Sequence, residues 1–276
     1  MANYGPMEVG IVAQQDNPRA AELADRIRRH VDATVRLDES TAESLEQQGS
    51  PVSEFADCDL VVSIGGDGTF LFAAREVTPT PVMGVNLGEV GFLNAVSPED
   101  SPEAVQREID RFRAGNDDCQ ELPQVQADGD GWTLPAAVNE VAILGPQRGR
   151  NNGVGIEVRV DGELYSGSRA DGVLVSTPTG STAYNLSEGG PLVHPDVPAF
   201  VITEMCAEGP MPSLAVPTTA DITVRVEEAD HAFVVADGRT RERIDPPTNV
   251  ELYQADQPVR IAGPPLEFFT ALGKLQ

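Results

Sequence analysis

Lysine is almost missing from this chain: of 19 basic residues among 276, only Lys274 is a lysine. Basic residues of either kind are outnumbered by 44 acidic ones, which leaves a net charge of −25. A surface so poor in cations has no basic stripe along which to track phosphates, and nucleic acid is excluded as the expected partner. Cysteine is scarce too. Cys58, Cys119 and Cys206 are odd in number and widely scattered, so they predict neither a disulfide framework nor a metal-ligand cluster and point to a reducing, cytoplasmic compartment. No apolar run approaches the ~18 residues of a membrane span. The opening MANYGPMEVG lacks the charge and apolar core of a signal peptide. Aromatic residues make up only 5%, but a hydrophobic content of 40% suffices for real cores, and the length suits two modest domains.

What is abundant is carboxylate, crowded into stretches such as SPEDSPE and VEEAD. Such a charge keeps a chain soluble at the cost of self-repulsion in the compact state. Molar salt screens that repulsion, because the Debye length falls to roughly 3 Å at 1 M. The composition therefore resembles that of proteins from halophilic archaea that accumulate salt. The many Val, Ile and Leu runs speak against a disordered acidic chain.

The first third alternates strand and helix signals. Glu8–Gln14 is a short apolar run of strand length. Pro18–Val31 then spaces Ala21, Leu23, Ala24, Ile27 and Val31 as one helical face, with Pro18 suited to the first turn. Ala33–Leu37, Asp59–Ile64 and Pro81–Asn86 read as further strands, with helices over Ser40–Gln48 and Phe70–Arg75. This alternation predicts a parallel, Rossmann-like sheet in an α/β domain over residues 1–96. Ser97–Ala114 reads as one connecting helix, with Ser97 as N-cap and Pro98 behind it.

From there to residue 263 strands dominate. They are expected at Leu122–Ala127, Ala136–Leu144, Val154–Val160, Glu163–Gly167, Gly172–Ser176, Phe200–Cys206, Ile222–Val226, His231–Ala236 and Val259–Ala262. Asp161-Gly162 between two of them is a strong hairpin signal. Residues 97–263 thus predict the connecting helix and a mostly-β, β-sandwich-like domain. The apolar segment Leu266–Leu272 is expected to return to the first domain, carrying residues 264–276 with it.

Three segments carry chemistry. Gly65-Gly66-Asp67-Gly68-Thr69 follows a buried strand, at the edge where open parallel sheets bind ligands. Glycines there let backbone N–H groups approach phosphate oxygens, and the helix behind adds its dipole. Asp67 inside such a loop reads three ways: as a base for an attacking hydroxyl, as a ligand for Mg²⁺ on bound phosphates, or as a helix cap in a tight turn. No Gly-Lys-Ser/Thr follows, so this is not a Walker A loop. Asn139-Glu140 sets an amide beside a carboxylate in an apolar strand. Either one of them faces the core and needs a partner, or both sit at a strand end and bind ribose hydroxyls. Asp171–Pro195, DGVLVSTPTGSTAYNLSEGGPLVHP, runs from a strand into a dense cluster of hydroxyls and glycines with one ring, Tyr184, able to stack on a base. His194 reads as structural.

In order and approximate spacing, these segments and GVNLGEVGFLNAV (Gly84–Val96) resemble the NAD kinase family. The likeness covers most of Leu60–Pro195. GGDGT is shared with lipid kinases and phosphofructokinases, whereas the TPTGSTAY block is far more specific. The resemblance implies transfer of the γ-phosphoryl group of ATP to the 2′-hydroxyl of the adenosine ribose of NAD, with Mg²⁺ or another divalent cation, giving NADP. It implies Asp67 as proton acceptor, Gly68 against the nucleotide, and Asn139 and Glu140 in contact with NAD. Arg169 and Asp171 lie near the ligand, and Thr182, Ala183, Tyr184, Asn185, Leu186 and Ser187 line the adenosine pocket. It further implies a homo-oligomer, dimer or tetramer, built through the β domain. One departure is Asp237-Gly238-Arg239, where the family often has DGQ; another is the stretch GPQRGRNNGVG, with Arg148, Arg150 and Asn152. The competing expectations are a lipid kinase of the diacylglycerol or sphingosine type, which a −25 protein would serve badly at anionic membranes, and a non-catalytic dinucleotide-binding sensor.

Overall fold

The computed structural model describes residues 7–88, 91–147 and 153–273, and the chain packs as two units, Met1–Leu122 with Pro258–Gln276, and Pro123–Gln257. The first opens with β1 (Glu8–Ala13) and α1 (Pro18–His30). Asn17 starts α1 by accepting the Arg19 N–H, and Arg28, Arg29 and His30 sit favourably at its negative end. β2 (Thr34–Leu37) and α2 (Glu39–Ser44) follow. Asp38 caps α2, which ends at Ser44, four residues short of the expected Gln48. β3 (Leu60–Ile64) is wholly buried and runs into α3 (Asp67–Val77), then β4 (Val82–Val85).

α4 spans Ser101–Arg113, not Ser97–Ala114. Ser97 instead closes a turn, accepting the Asp100 N–H at 3.1 Å, and Pro102 rather than Pro98 occupies the first helical turn. Ala104, Val105 and Ile109 of α4 share a core with Val9, Ile11, Leu23 and Ile27. Burying a large aliphatic side chain is worth about 1.5–3 kcal/mol, and that term draws α4 into the first unit. The expected boundary at residue 96 is accordingly displaced to Leu122, after β5 (Gln120–Leu122).

The second unit contains β6 (Val125–Gly129), β7 (Trp132–Thr133), β8 (Glu140–Leu144), β9 (Val154–Val160), β10 (Glu163–Ala170) and β11 (Gly172–Ser176). A one-turn helix, α5 (Tyr184–Ser187), precedes β12 (Ala199–Met205). β13 (Leu214–Pro217), β14 (Ile222–Glu227), β15 (Ala232–Ala236), β16 (Thr240–Ile244) and β17 (Thr248–Gln254) complete it. They form two six-stranded sheets, β10-β9-β14-β17-β6-β7 and β13-β12-β11-β8-β15-β16, all of whose pairings are antiparallel. Their inward residues, among them Ile143, Val173, Phe200, Val158 and Val224, make one core, which is a sandwich. Asp161 and Gly162 turn β9 into β10 with φ of 50° and 82°, the geometry of a primed hairpin turn.

The return begins at Pro258, six residues before the expected 264, with β18 (Val259–Ile261) and then α6 (Phe268–Leu272). β18 completes the first sheet in the order β2-β1-β3-β4-β18-β5; it lies parallel to β4 and antiparallel to β5. Pro123 divides the expected strand Leu122–Ala127, so that β5 and β6 belong to different sheets.

Candidate active site

β1 connects to β2 on one side of the first sheet, while β3 and β4 extend it on the other. The order of strands thus reverses between β1 and β3, and ligands of open α/β sheets sit outside the carboxyl ends at such a point. Gly65-Gly66 lies there, fixed to both neighbours. Gln14 N–H donates to the Ile64 carbonyl at 2.8 Å, and Gly65 N–H to the Val85 carbonyl at 2.9 Å. A Cβ added to Gly66 or Gly68 would meet nothing within 4 Å, and both are exposed. Packing therefore does not require glycine at either place; the absence of side chains leaves room above the loop.

Asp67, the first residue of α3, faces a different task from capping its own helix. Its Oδ2 accepts the Phe92 N–H at 3.0 Å, and its Oδ1 accepts the Leu93 N–H at 3.0 Å and the Asn94 amide at 2.9 Å. Three donors fix the orientation of this carboxylate against the segment that follows β4. Asn94 is fully buried, and its own Oδ1 has no hydrogen-bond partner among the described residues.

The second unit gathers its polar residues at the end of β8 and β11. Glu140 opens β8 and Ser176 closes β11, directly opposite each other in the antiparallel register. Asn139 stands just before the strand. The turn between β15 and β16 brings Asp237 against this segment, where its carboxylate accepts the N–H groups of Val138, Asn139 and Glu140 at 3.0, 2.8 and 3.3 Å. On the other side Thr177 N–H donates to the Asn139 carbonyl at 2.8 Å, and Thr177 Oγ1 to the Val138 carbonyl at 2.5 Å. Gly180 makes this approach possible: a Cβ there would lie 1.9 Å from the Asn139 carbonyl oxygen.

The result is a rigid backbone with side chains left to spare. Glu140 is only 6% exposed, and its Oε2 has no partner; the buried Ser176 Oγ and Thr179 Oγ1 have none either. Burial, with the Asp237 carboxylate nearby, pushes Glu140 up from 4.5 to about 7, against the opposing pull of the Tyr184 backbone N–H that it accepts. The Tyr184 ring packs over Ala142, Leu174 and Met205, on the same face of the sheet as Glu140.

The other expected residues occupy varied places. Thr182 Oγ1 donates to the Thr179 carbonyl, while Ala183 and Leu186 are half-buried and Ser187 is exposed. Asn185 is fully buried and committed: it donates to the Ser181 and Pro191 carbonyls and accepts from Thr203. Arg169 pairs with Glu228 at 2.9 Å. Asp171 is buried at the corner between β10 and β11, and Gly68 belongs to the open loop of the first unit. His194 accepts the Asp196 N–H. Arg148, Arg150 and Asn152 lie outside the described residues, as do Glu89 and Val90 of the Gly84–Val96 segment. In the sequence Asp237 drew notice only within Asp237-Gly238-Arg239, where the family often has DGQ; its clamp on residues 138–140 leaves no local trace.

Among the described residues no three His, Cys, Asp or Glu side chains come together as a metal site, and no helix is long and apolar enough to cross a membrane.

Residues 9–116 match the family model for the ATP-NAD kinase N-terminal domain and residues 138–263 that for its C-terminal domain. The chain is 70% identical over 269 residues to an NAD kinase of Natronomonas pharaonis, covering 98% of this chain and 100% of that one. It is 54% identical over 282 residues to an NAD kinase of Halobacterium salinarum, with the same coverage. The crystal structure of an NAD kinase from Archaeoglobus fulgidus in complex with ATP superposes with a TM-score of 0.80 at 26% identity, covering 98% of each chain. A yeast NADH kinase complexed with NADH shares the fold, at a TM-score of 0.84 and 21% identity over 98% of this chain and 88% of that one. By both family models and by these relatives, the chain belongs to the NAD kinase family.

Proposed function

We propose that this chain transfers the γ-phosphoryl group of ATP to the 2′-hydroxyl of the adenosine ribose of NAD, giving NADP and ADP. The observation that carries the reading is the set of buried polar atoms, Glu140 Oε2, Ser176 Oγ and Thr179 Oγ1, that no group among the described residues satisfies. Buried polar groups are almost always paired, and an unpaired cluster on a rigid strand end suits a polar ligand such as a nucleoside. Asn139 supports the same assignment, since its backbone is clamped on both sides while its half-exposed amide makes no hydrogen bond to a described residue. Tyr184 offers its ring to the base, and Thr182, Ala183, Leu186 and Ser187 surround it. Asn185 supports the pocket from behind. Arg169 and Asp171 lie by the opposite end of β11 from Ser176, and their contact with the ligand is implied by the family resemblance alone.

In this reading Asp67 accepts the proton of the 2′-hydroxyl as the new phosphorus–oxygen bond forms and the bond to the β-phosphate oxygen breaks. Its three fixed donors hold the carboxylate ready and minimise its reorganisation. No cluster of metal ligands is found among the described residues, so Mg²⁺ would enter with the nucleotide, with Asp67 the residue placed to hold it, and would supply neutralisation of phosphate charge. The protein would act in the cytoplasm as a dimer or tetramer joined through the second unit.

The test is to incubate the protein with NAD, Mg²⁺ and ATP in molar KCl and follow NADP by a coupled dehydrogenase, with polyphosphate and diacylglycerol as parallel arms. NADP formation in proportion to enzyme supports the reading. Dinucleotide binding without turnover would make the chain a sensor, and a phosphorylated lipid would make it a lipid kinase.

A further inference from the structure

Arg19 stands near the start of α1, just beyond the carboxyl end of β1, and its Nη2 donates to the Leu87 carbonyl, 3.5 Å away, beyond the carboxyl end of β4. In the sheet order β1-β3-β4, the strand between those two points is β3. All three strands are parallel, so the contact between Arg19 and Leu87 joins the two segments that flank the end of β3, where Gly65 and Gly66 emerge. The loop beneath is open: Gly66 and Gly68 are exposed, with no atom within 4 Å of where a Cβ would stand.

The charge of Arg19 is also uncommitted. In the same unit Arg28, Arg29, Arg36, Arg113 and Arg260 each sit within 4.0 Å of a carboxylate. Arg19 has no such partner among the described residues, although the chain carries 44 acidic side chains. Among the described residues its only side-chain bond is the long contact to Leu87, and the residue is exposed, so a ligand can displace that contact at little cost. A guanidinium with free donors above a glycine loop matches the oxygens of a phosphate chain, which it can meet with two parallel hydrogen bonds.

We infer that Arg19 is a phosphate-binding residue of the donor site, and that its guanidinium grips the triphosphate of ATP above Gly66 and Gly68. The inference rests on the reading of ATP as donor. In a molecule of net charge −25, such a cation offsets repulsion between the surface and a tetra-anionic nucleotide at the place where that repulsion matters most.

The test compares the parent with Arg19→Ala and Arg19→Lys in the same molar KCl buffer. ATP is varied at saturating NAD, then NAD at saturating ATP, and binding of the non-hydrolysable ATP analogue AMP-PNP is measured by calorimetry. Arg19→Ala is expected to raise KM for ATP and Kd for the analogue at least about tenfold, the loss of a charge-assisted hydrogen bond. KM for NAD and the thermal midpoint stay within twofold and about 2 °C of the parent, because the side chain is exposed. Lysine restores part of the affinity but not the bidentate geometry. Values of KM and Kd for the nucleotide within twofold of the parent overturn the inference, as does an equal rise in KM for NAD. If the parent itself makes no NADP, the kinase reading fails, and the calorimetric comparison still decides for or against Arg19.

Discussion

Asn139 and Asp237 are 98 residues apart in sequence, yet the Asn139 backbone N–H donates to Asp237 Oδ1 at 2.8 Å. The same carboxylate also receives the N–H groups of Val138 and Glu140. These are donors that a strand start would otherwise leave to water, and together they hold the Asn139-Glu140 pair in one orientation.

Asp237→Ala should therefore loosen the nucleotide pocket before it unfolds the protein. Unmade bonds to half-buried N–H groups cost about 1–3 kcal/mol, so a fall of several degrees in thermal midpoint is expected. KM for NAD should rise much more than KM for ATP. A variant with the parent's KM for NAD would reduce the clamp to an ordinary turn contact.

Glu140 makes stability depend on pH in a stated direction. Folded, it holds its proton up to about pH 7, whereas unfolded it releases it near 4.5. The folded state thus binds more protons between those values, and stability falls as pH rises through that window. The penalty is absent below about pH 4.5 and complete above about 7, at most on the order of 3 kcal/mol. Glu140→Gln removes it. Thermal midpoints of the two proteins should agree near pH 5 and favour the glutamine variant at pH 8; equal midpoints at pH 8 would mean that the carboxyl is solvated.

Gly68 separates fold from function cleanly. It is the second residue of α3 with open space beside it, so Gly68→Ala should leave the thermal midpoint unchanged or raise it, by up to about 1 kcal/mol of helix propensity. Affinity for ATP should nevertheless drop at least tenfold as the methyl group occupies the space above the loop. Unchanged ATP binding would show that the opening serves no nucleotide.

Much of this was legible in the sequence, and what was not has identifiable causes. The loop GGDGT announced itself because β3 is apolar but for Ser63 and ends at a glycine cluster. Thr240–Ile244 went unread because four of its five residues, TRER, are polar, and Thr248–Gln254 because Val250 and Leu252 only alternate with polar neighbours, so neither shows an apolar run. Ser97-Pro98 and Ser101-Pro102 carry the same start signal four residues apart, and the structure uses the second for the helix and the first for a turn. The amphipathic stripe of α4 said that one face is buried without saying against which unit. The reach of Asp237 to residues 138–140 depends on tertiary pairing of β15 with β8 and has no local pattern at all.

Salt should stabilise this protein. With 44 carboxylates and 19 basic residues, mutual repulsion acts on the compact state and is screened at molar ionic strength. The thermal midpoint should climb between 0.1 M and 3 M KCl, and a flat profile would contradict the reading of the composition.

The most direct test of the kinase account is the turnover number of Asp67→Asn, measured with NAD, ATP and Mg²⁺ in molar KCl. Asparagine keeps one acceptor oxygen, which can serve Leu93 and Asn94, but turns an NH₂ toward the Phe92 N–H, so a modest loss of stability accompanies the change. Basicity is gone. The account expects kcat to fall by about 10²–10⁴, the range for a lost general base, while Kd for NAD stays within a few-fold of the parent. A variant that turns over at the parent's rate would contradict the account, leaving Asp67 as the anchor of residues 92–94 and nothing more.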